Sequence, residues 1–261
     1  MDLGLAGAVA VVTGGSEGIG RAAAAALGRE GARVVICARR AAELERAAGE
    51  LAAETGAEVV PVAADVSRAA DVERVIGAAA GRFGRLDVLV NNAGTSAARP
   101  FASVTDEEWH DDLELKLFGA IRTCRLALPH LRRAGGSVIN ILNIGAKQPG
   151  AGSVPTSVSR AAGLALTKAL SKEFAPDQVR VNAVLIGLVK SGQHERAWRA
   201  AGGGQSLDEF YAGMVRRRAI PLGRVGEAAE VGDLIAFLAS PRAAYLTGVA
   251  INCDGGSSAV V

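Results

Sequence analysis

Short runs of aliphatic and β-branched residues alternate along this chain with longer segments whose apolar positions recur every three or four residues. Seven runs read as strands: "AVAVVTG" (8–14), "RVVIC" (33–37), "EVVPVAAD" (58–65), "LDVLVNNAG" (86–94), "SVINIL" (137–142), "VRVNAVL" (179–185) and "GVAINCD" (248–254). Helical patterns lie between them, over residues 18–29, 40–55, 68–82, 105–133, 155–175 and 226–239. Strands that are apolar at nearly every position suit a parallel sheet buried on both faces. The alternation predicts a single α/β domain over residues 1–261. Its doubly wound parallel sheet has about seven strands, right-handed crossovers and helices on both faces. The rhythm breaks once, at residues 187–225, "GLVKSGQHERAWRAAGGGQSLDEFYAGMVRRRAIPLGRV". So long a connection in a compact domain is usually functional. It reads as a substrate lid, with "AGGG" at 201–204 supplying flexibility.

Composition narrows the picture. Hydrophobic residues make up 49% of the 261 positions, enough for a large core, yet aromatics are only 4%, so the core must be Ala, Val, Leu and Ile. A formal charge of +2 gives no electrostatic reason to expect nucleic acid or an anionic membrane. The three cysteines, Cys37, Cys124 and Cys253, form no C-x-x-C pair, which points to thiols in a reduced, cytoplasmic setting. The first residues lack the basic start of a secretory leader, and no apolar run approaches a bilayer span. No metal-ligating set is assigned.

The most specific local signal is "TGGSEGIGRA" at 13–22, between the first strand and the first helix. Gly14 permits a tight turn. Gly18 and Gly20 let backbone approach a phosphate and let helix pack on strand, while the free N–H groups and positive dipole end of the helix face the pyrophosphate. A glycine triplet alone is weak evidence; at a strand–turn–helix junction it indicates a Rossmann-like dinucleotide site.

With "TGGSEGIG" (13–20), "DV" (65–66), "NNAG" (91–94), "VRVNAV" (179–184) and "YLTGVAINCDGG" (245–256) in this order, the chain resembles the short-chain dehydrogenase/reductase family over nearly its whole length. The resemblance implies a cofactor site built from Gly14, Ser16, Glu17, Gly18, Ile19 and Gly20. Asp65 and Val66 would flank the adenine, and Asn91, Ala93 and Gly94 would border the cofactor. Gly187, Val189 and Ser191 would meet the nicotinamide amide. Ile186 stands where the family usually has proline, and Ser191 where it has threonine.

Just past the second strand, a carboxylate would select NAD by binding the ribose 2′-hydroxyl. This chain has Ala38, Arg39 and Arg40 there. A guanidinium grips a 2′-phosphate that a carboxylate would repel, so NADP(H) is favoured over NAD(H). Glu17, inside the phosphate loop, argues against the extra phosphate, and the arginines could equally face solvent.

The resemblance also implies a catalytic tetrad of asparagine, serine, tyrosine and lysine, and here all four are replaced. "EWHDDLELKLFGA" (108–120) puts Lys116 at the asparagine position, "INILNIGAKQPG" (139–150) puts Asn143 at the serine, and "TSVSRAAGLALTKAL" (156–170) puts Thr156 and Arg160 at the tyrosine and lysine. Thr156 and Arg160, four apart, share one face of a helix. Arg160 retains the charge and donors to hold the nicotinamide ribose but cannot pass protons. Thr156 can donate a hydrogen bond but has no accessible pKa. Asn143 can polarise a carbonyl through its amide. Lys116 is either a solvated lysine on a long helix or an acid whose pKa is lowered by burial and by Arg160. His194 and Tyr211 in the lid, and Lys147 after the fifth strand, are further titratable candidates. Trp198 and Phe210 are candidates to flank an apolar substrate.

Two functions follow. One is an NADP(H)-dependent oxidoreductase acting on the carbonyl or alcohol of a small molecule with a non-standard proton donor. The other is a catalytically inactive dinucleotide-binding protein, a sensor or partner subunit. Halohydrin dehalogenases share the fold and put arginine at the lysine position, but they keep the tyrosine and fill the nucleotide pocket, unlike this chain. The resemblance further implies a homotetramer or homodimer paired through residues 105–133 and 155–175, where Ala162, Ala165 and Ala169 permit close approach.

Overall fold

All seven apolar runs form strands of one sheet in the computed structural model, which describes residues 2–200, 202 and 204–261. The strands are β1 (Val9–Thr13), β2 (Arg33–Ala38), β3 (Val59–Ala63), β4 (Val88–Asn91), β5 (Ser137–Asn143), β6 (Arg180–Ile186) and β7 (Ala250–Cys253). Their order is 3-2-1-4-5-6-7 and every pairing is parallel. The order reverses beside β1, so chains leaving β1 and β4 diverge and leave a crevice at the carboxyl ends of the strands.

Strand parity sorts the core. Ala10 and Val12 of β1, with Val34 and Ile36 of β2, face α1 (Gly18–Arg29), α2 (Ala41–Thr55) and α9 (Ala228–Ala239). Val9, Val11 and Val35 face α3 (Ala69–Phe83) and α5 (Gly119–Ala134) on the other side. Leu142, Ala183 and Leu185 form a smaller cluster against Leu164 of α6 (Thr156–Glu173). Each buried aliphatic side chain contributes about 1.5–3 kcal/mol, which explains how a core almost without aromatics suffices.

The single helix expected over residues 105–133 is two helices. The α4 helix (Asp106–Leu113), opened by a Thr105–Glu108 capping box, runs into one π-turn at Glu114–Phe118 before α5. The Gly119 N–H reaches back five residues to the Glu114 carbonyl. A π-turn inserts an extra residue without ending the helix, so hydrophobic periodicity alone reads straight through it. The expected lid contains α7 (Gly192–Ala200) and α8 (Leu207–Arg218), while Ala201 and Gly203 of the "AGGG" stretch lie outside the described residues. Among the described residues no helix is long and apolar enough to cross a membrane.

The α1 and α9 helices touch through Gly232, where a Cβ would stand 2.7 Å from the Ala22 carbonyl oxygen. Helix propensity favours Ala over Gly by about 1 kcal/mol, but overpacking a tight contact costs about 1–3 kcal/mol. Gly232→Ala is therefore expected to lower the urea midpoint; a raised midpoint would show that the helices separate freely.

Candidate active site

A cleft of about 710 Å³ opens at the carboxyl edge of the sheet. Its floor begins where β1 turns at Gly14, whose φ is +67° and where a Cβ would stand 3.1 Å from Ala93 Cα. One turn into α1, a Cβ on Gly20 would lie 2.1 Å from the Gly14 carbonyl, so Gly20 serves the helix–strand contact. Ser16, Glu17, Gly18 and Ile19 line the cleft. Glu17 occupies the N-cap position of α1 but gives the helix no side-chain cap. The first-turn N–H groups therefore remain available to an anion.

The Glu17 carboxylate turns instead to the lid. It accepts two hydrogen bonds from Arg196 of α7, both 3.1 Å, and lies 3.6 Å from Arg40. These cations, Arg196 foremost, hold its carboxyl below the usual carboxylate range. Its negative charge is thus largely balanced before any phosphate arrives. Asp65 and Val66 line the cleft beyond β3, with Asp65 Oδ1 accepting from Ser67 N–H and Oγ at 3.0 and 2.7 Å. Arg39 stands exposed on the rim with no ion pair among the described residues. Gly187, Val189 and Ser191 form the facing wall. An uncapped helix start, a glycine floor and a free guanidinium fit a dinucleotide.

The four substituted positions converge on this cleft. Thr156 opens α6 and Arg160 follows one turn later; both line the cleft, as does Asn143 at the end of β5. Arg160 donates through Nη1 to the Ile141 carbonyl at 2.9 Å. Its other nitrogen, Nη2, would be only 2.7 Å from a Cβ at Gly94, so that glycine admits it. Burial, opposed by Asp112, brings its pKa down to about 10. Lys116 sits in the π-turn behind the cleft, its side chain 1% exposed, ion-paired with Asp112. Its Nζ donates to Thr156 Oγ1 at 3.0 Å. Burial first, then the Arg160 charge, lowers the Lys116 pKa to about 8 against the pull of Asp112.

Thr156 Oγ1 also accepts from the Ala97 N–H at 2.9 Å. A hydroxyl has two acceptor lone pairs and one proton. Both lone pairs are engaged, so the proton is left to donate, and Thr156 lines the cleft. Asn143 Oδ1 is buried with no partner among the described residues. That orphaned amide suits a ligand donor as drawn, and a ligand acceptor if the amide is turned over.

Four expected residues lie elsewhere. Lys147 donates to Ala250 O and Asn252 Oδ1 at 3.0 and 3.1 Å, which binds it to β7 instead of the cleft. Asn91 turns its side chain beneath the cleft: Nδ2 donates to Asn140 Oδ1 at 2.9 Å and Oδ1 accepts from Thr123 Oγ1 at 2.6 Å. Strand parity at the end of β4 decides this, so its side chain does not border the cofactor cleft. Trp198 donates Nε1 to Gln205 O at 2.8 Å and, like Phe210, does not line the cleft. His194 does; its Nδ1 is 3.2 Å from Ser191 Oγ, and burial holds its pKa below the ordinary 6.5. The Tyr211 hydroxyl is buried with no partner among the described residues, and its ring meets the His194 ring edge-on, centroids 6.3 Å apart. The sequence reading missed Asp112, Arg196 and Ser159, whose hydroxyl donates to Asp112 Oδ2 at 2.6 Å; only the Asp112–Lys116 spacing of four carried a signal in advance.

Known proteins place the chain in a family. A family model described as enoyl-(acyl carrier protein) reductase matches residues 14–258. The chain is a short-chain dehydrogenase/reductase. It is 40% identical over 255 residues, 95% of each chain, to a protein named as ketoacyl reductase 2 of the granaticin polyketide synthase of Streptomyces violaceoruber. L-Sorbose reductase from Gluconobacter frateurii, solved with NADPH and L-sorbose, superposes with a TM-score of 0.94 at 33% identity over 100% of both chains. A short-chain oxidoreductase from Pseudomonas aeruginosa PAO1, solved with NADPH bound and described as containing an atypical catalytic center, superposes with a TM-score of 0.91. It is 40% identical, over 97% of this chain and 98% of that one.

The Asn91 network yields a test in this reductase scaffold. Asn91→Ala strands Asn140 Oδ1, worth about 1–3 kcal/mol when buried without a partner, whereas Thr123 Oγ1 can turn its proton to the Gly119 or Ala120 carbonyl, each 3.0 Å away. Stability measured by urea unfolding should drop accordingly while dinucleotide affinity stays near wild type. A collapse of affinity with unchanged stability would return Asn91 to the cofactor.

Proposed function

We propose that this short-chain dehydrogenase/reductase is an NADP(H)-dependent oxidoreductase that interconverts a carbonyl and an alcohol. In it, Lys116 exchanges protons with the substrate through Thr156. The observation that carries the reading is the spent acceptor capacity of Thr156 Oγ1, which receives Lys116 and Ala97 and keeps only its own proton for a ligand. Bound NADP(H) would supply or accept the hydride. Gly14, Gly18 and the start of α1 would take its pyrophosphate, Arg39 its 2′-phosphate, and Arg160 its nicotinamide ribose. In reduction, Thr156 gives its hydroxyl proton to the substrate oxygen while its Oγ takes one from Lys116 Nζ. The lysine ends as a neutral amine and recovers its proton from water; a void of about 20 Å³ adjoins it, room for one water molecule. A pKa of about 8 matches an acid working near neutral pH. His194, held neutral, is poorly placed to be that acid.

A catalytically inactive dinucleotide binder is the competing reading, favoured by the loss of all four family side chains. Against it stands the buried Lys116–Asp112 pair, since ion pairs out of water seldom raise stability and are often replaceable by apolar residues. For assembly, we propose pairing of copies through α5 and α6; Ala165, Ala169 and Val158 leave the outer face of α6 exposed. Sedimentation showing a monomer at micromolar concentration would refute it.

Two measurements test the function. NADPH should bind more tightly than NADH. Arg39→Asp should reverse the order, the lost charge-assisted contact costing roughly tenfold to a hundredfold; equal wild-type affinities in calorimetry would remove the argument. With a panel of ketones, Lys116→Met and Thr156→Val should each lower kcat by about 10²–10⁴ with NADPH affinity kept. Because the protonated lysine is the acid, wild-type reduction should fall as pH rises through about 8 and alcohol oxidation should rise through the same range. A Lys116→Met protein with wild-type kcat sinks the relay, and NADPH binding without any turnover supports the inactive binder.

A further inference from the structure

The relay has an anchor outside the four substituted positions. Asp112 is on α4, four residues before Lys116, and its side chain is 2% exposed. Its two oxygens are divided between two partners. Oδ1 takes the Lys116 ammonium, and Oδ2 accepts from Ser159 Oγ at 2.6 Å. Ser159 stands on α6 between Thr156 and Arg160 and is 1% exposed. One carboxylate thus clamps the helix that carries the proton donor to the helix that carries the hydroxyl.

We propose that Asp112 and Ser159 are positioning residues for proton delivery: Ser159 fixes the Asp112 carboxylate, and Asp112 holds the Lys116 ammonium aimed at Thr156. The proposal rests on the Thr156–Lys116 relay. Two charged groups face Lys116: Asp112 from α4 and Arg160 from α6. The residues lining the adjoining void from β4 and β5, Asn91 and Asn140, are uncharged. Of the three N–H bonds of the ammonium, one goes to Asp112 and one to Thr156. Removing the carboxylate charge would leave two buried cations side by side, so Lys116 would lose its proton at lower pH and its aim as well. Removing the Ser159 hydroxyl would leave the charge in place but free the carboxylate to rotate, loosening geometry without discharging the lysine. The two residues therefore have separable signatures.

The experiment compares the intact protein with Asp112→Asn, Ser159→Ala, Lys116→Met and the doubles Asp112→Asn/Lys116→Met and Ser159→Ala/Lys116→Met. It reads kcat and KM for ketone reduction against pH, with NADPH affinity alongside. In Asp112→Asn the pH at which reduction is half lost should move down by about one unit or more, the usual effect of a neighbouring opposite charge. In Ser159→Ala that pH should hold while kcat falls by roughly tenfold, the order expected for misaligned reacting groups, with KM and NADPH affinity unchanged. Both effects should vanish in the Lys116→Met background, because residues acting through one group are not additive. If Asp112→Asn does not fold, the Ser159→Ala cycle alone decides. An unmoved pH profile in folded Asp112→Asn, or a Ser159→Ala loss that persists in full without Lys116, overturns the positioning role. A wild-type kcat in Lys116→Met would overturn the relay itself, a distinct outcome.

Discussion

Two cations and one carboxylate, Lys116, Arg160 and Asp112, are held together at the carboxyl edge of the sheet, Lys116 and Asp112 out of water and Arg160 half-buried at the cleft. An isolated buried charge costs several kcal/mol, so each must find partners in fixed geometry. Much of the local backbone answers to that demand. The π-turn at Glu114–Phe118 carries Lys116 inward. Gly94 lacks a side chain where Arg160 passes, and the Ile141 carbonyl at the end of β5 receives the guanidinium. Ser159 closes the remaining carboxylate oxygen. Burial first, and then the Arg160 charge in a cluster with one anion against two cations, lowers the lysine pKa, and the shortage of negative charge suits an electron-rich ligand oxygen.

The same electrostatic economy governs the other end of the cleft. Glu17 at the mouth of the phosphate loop would repel a dinucleotide were it free, but Arg196 and Arg40 occupy it. The pairing also ties α7 to the phosphate loop. Arg39 is left unpaired at the rim, the arrangement a 2′-phosphate requires.

In the proposed mechanism, a proton donor behind the cleft separates two tasks. Thr156 meets the ligand and has no useful acidity of its own. Lys116 has the acidity but no route to the ligand except through Thr156. A serial arrangement of this kind replaces a single phenol with a hydroxyl and an ammonium, and it needs the scaffold only to hold two side chains 3.0 Å apart.

Near-continuous apolar runs determined the seven strands and period-3.6 patterns most helices, because a doubly covered parallel sheet admits little but apolar residues on its strands. The family resemblance implied that Lys116, Asn143, Thr156 and Arg160 share one site, and the structure brings Asn143, Thr156 and Arg160 to the cleft with Lys116 behind them. What one dimension could not carry was direction. Asn91 and Lys147 sit in motifs beside the cleft yet turn into the protein, because strand parity and the position of β7 decide where a side chain points. The π-turn leaves the hydrophobic period intact and so left no trace. The burial that makes Lys116 an acid, and the Asp112–Ser159 clamp across two helices, arise from contacts between segments up to 47 residues apart. Those contacts depend on tertiary packing, because a pKa is set by what surrounds a group in space and not by its neighbours along the chain.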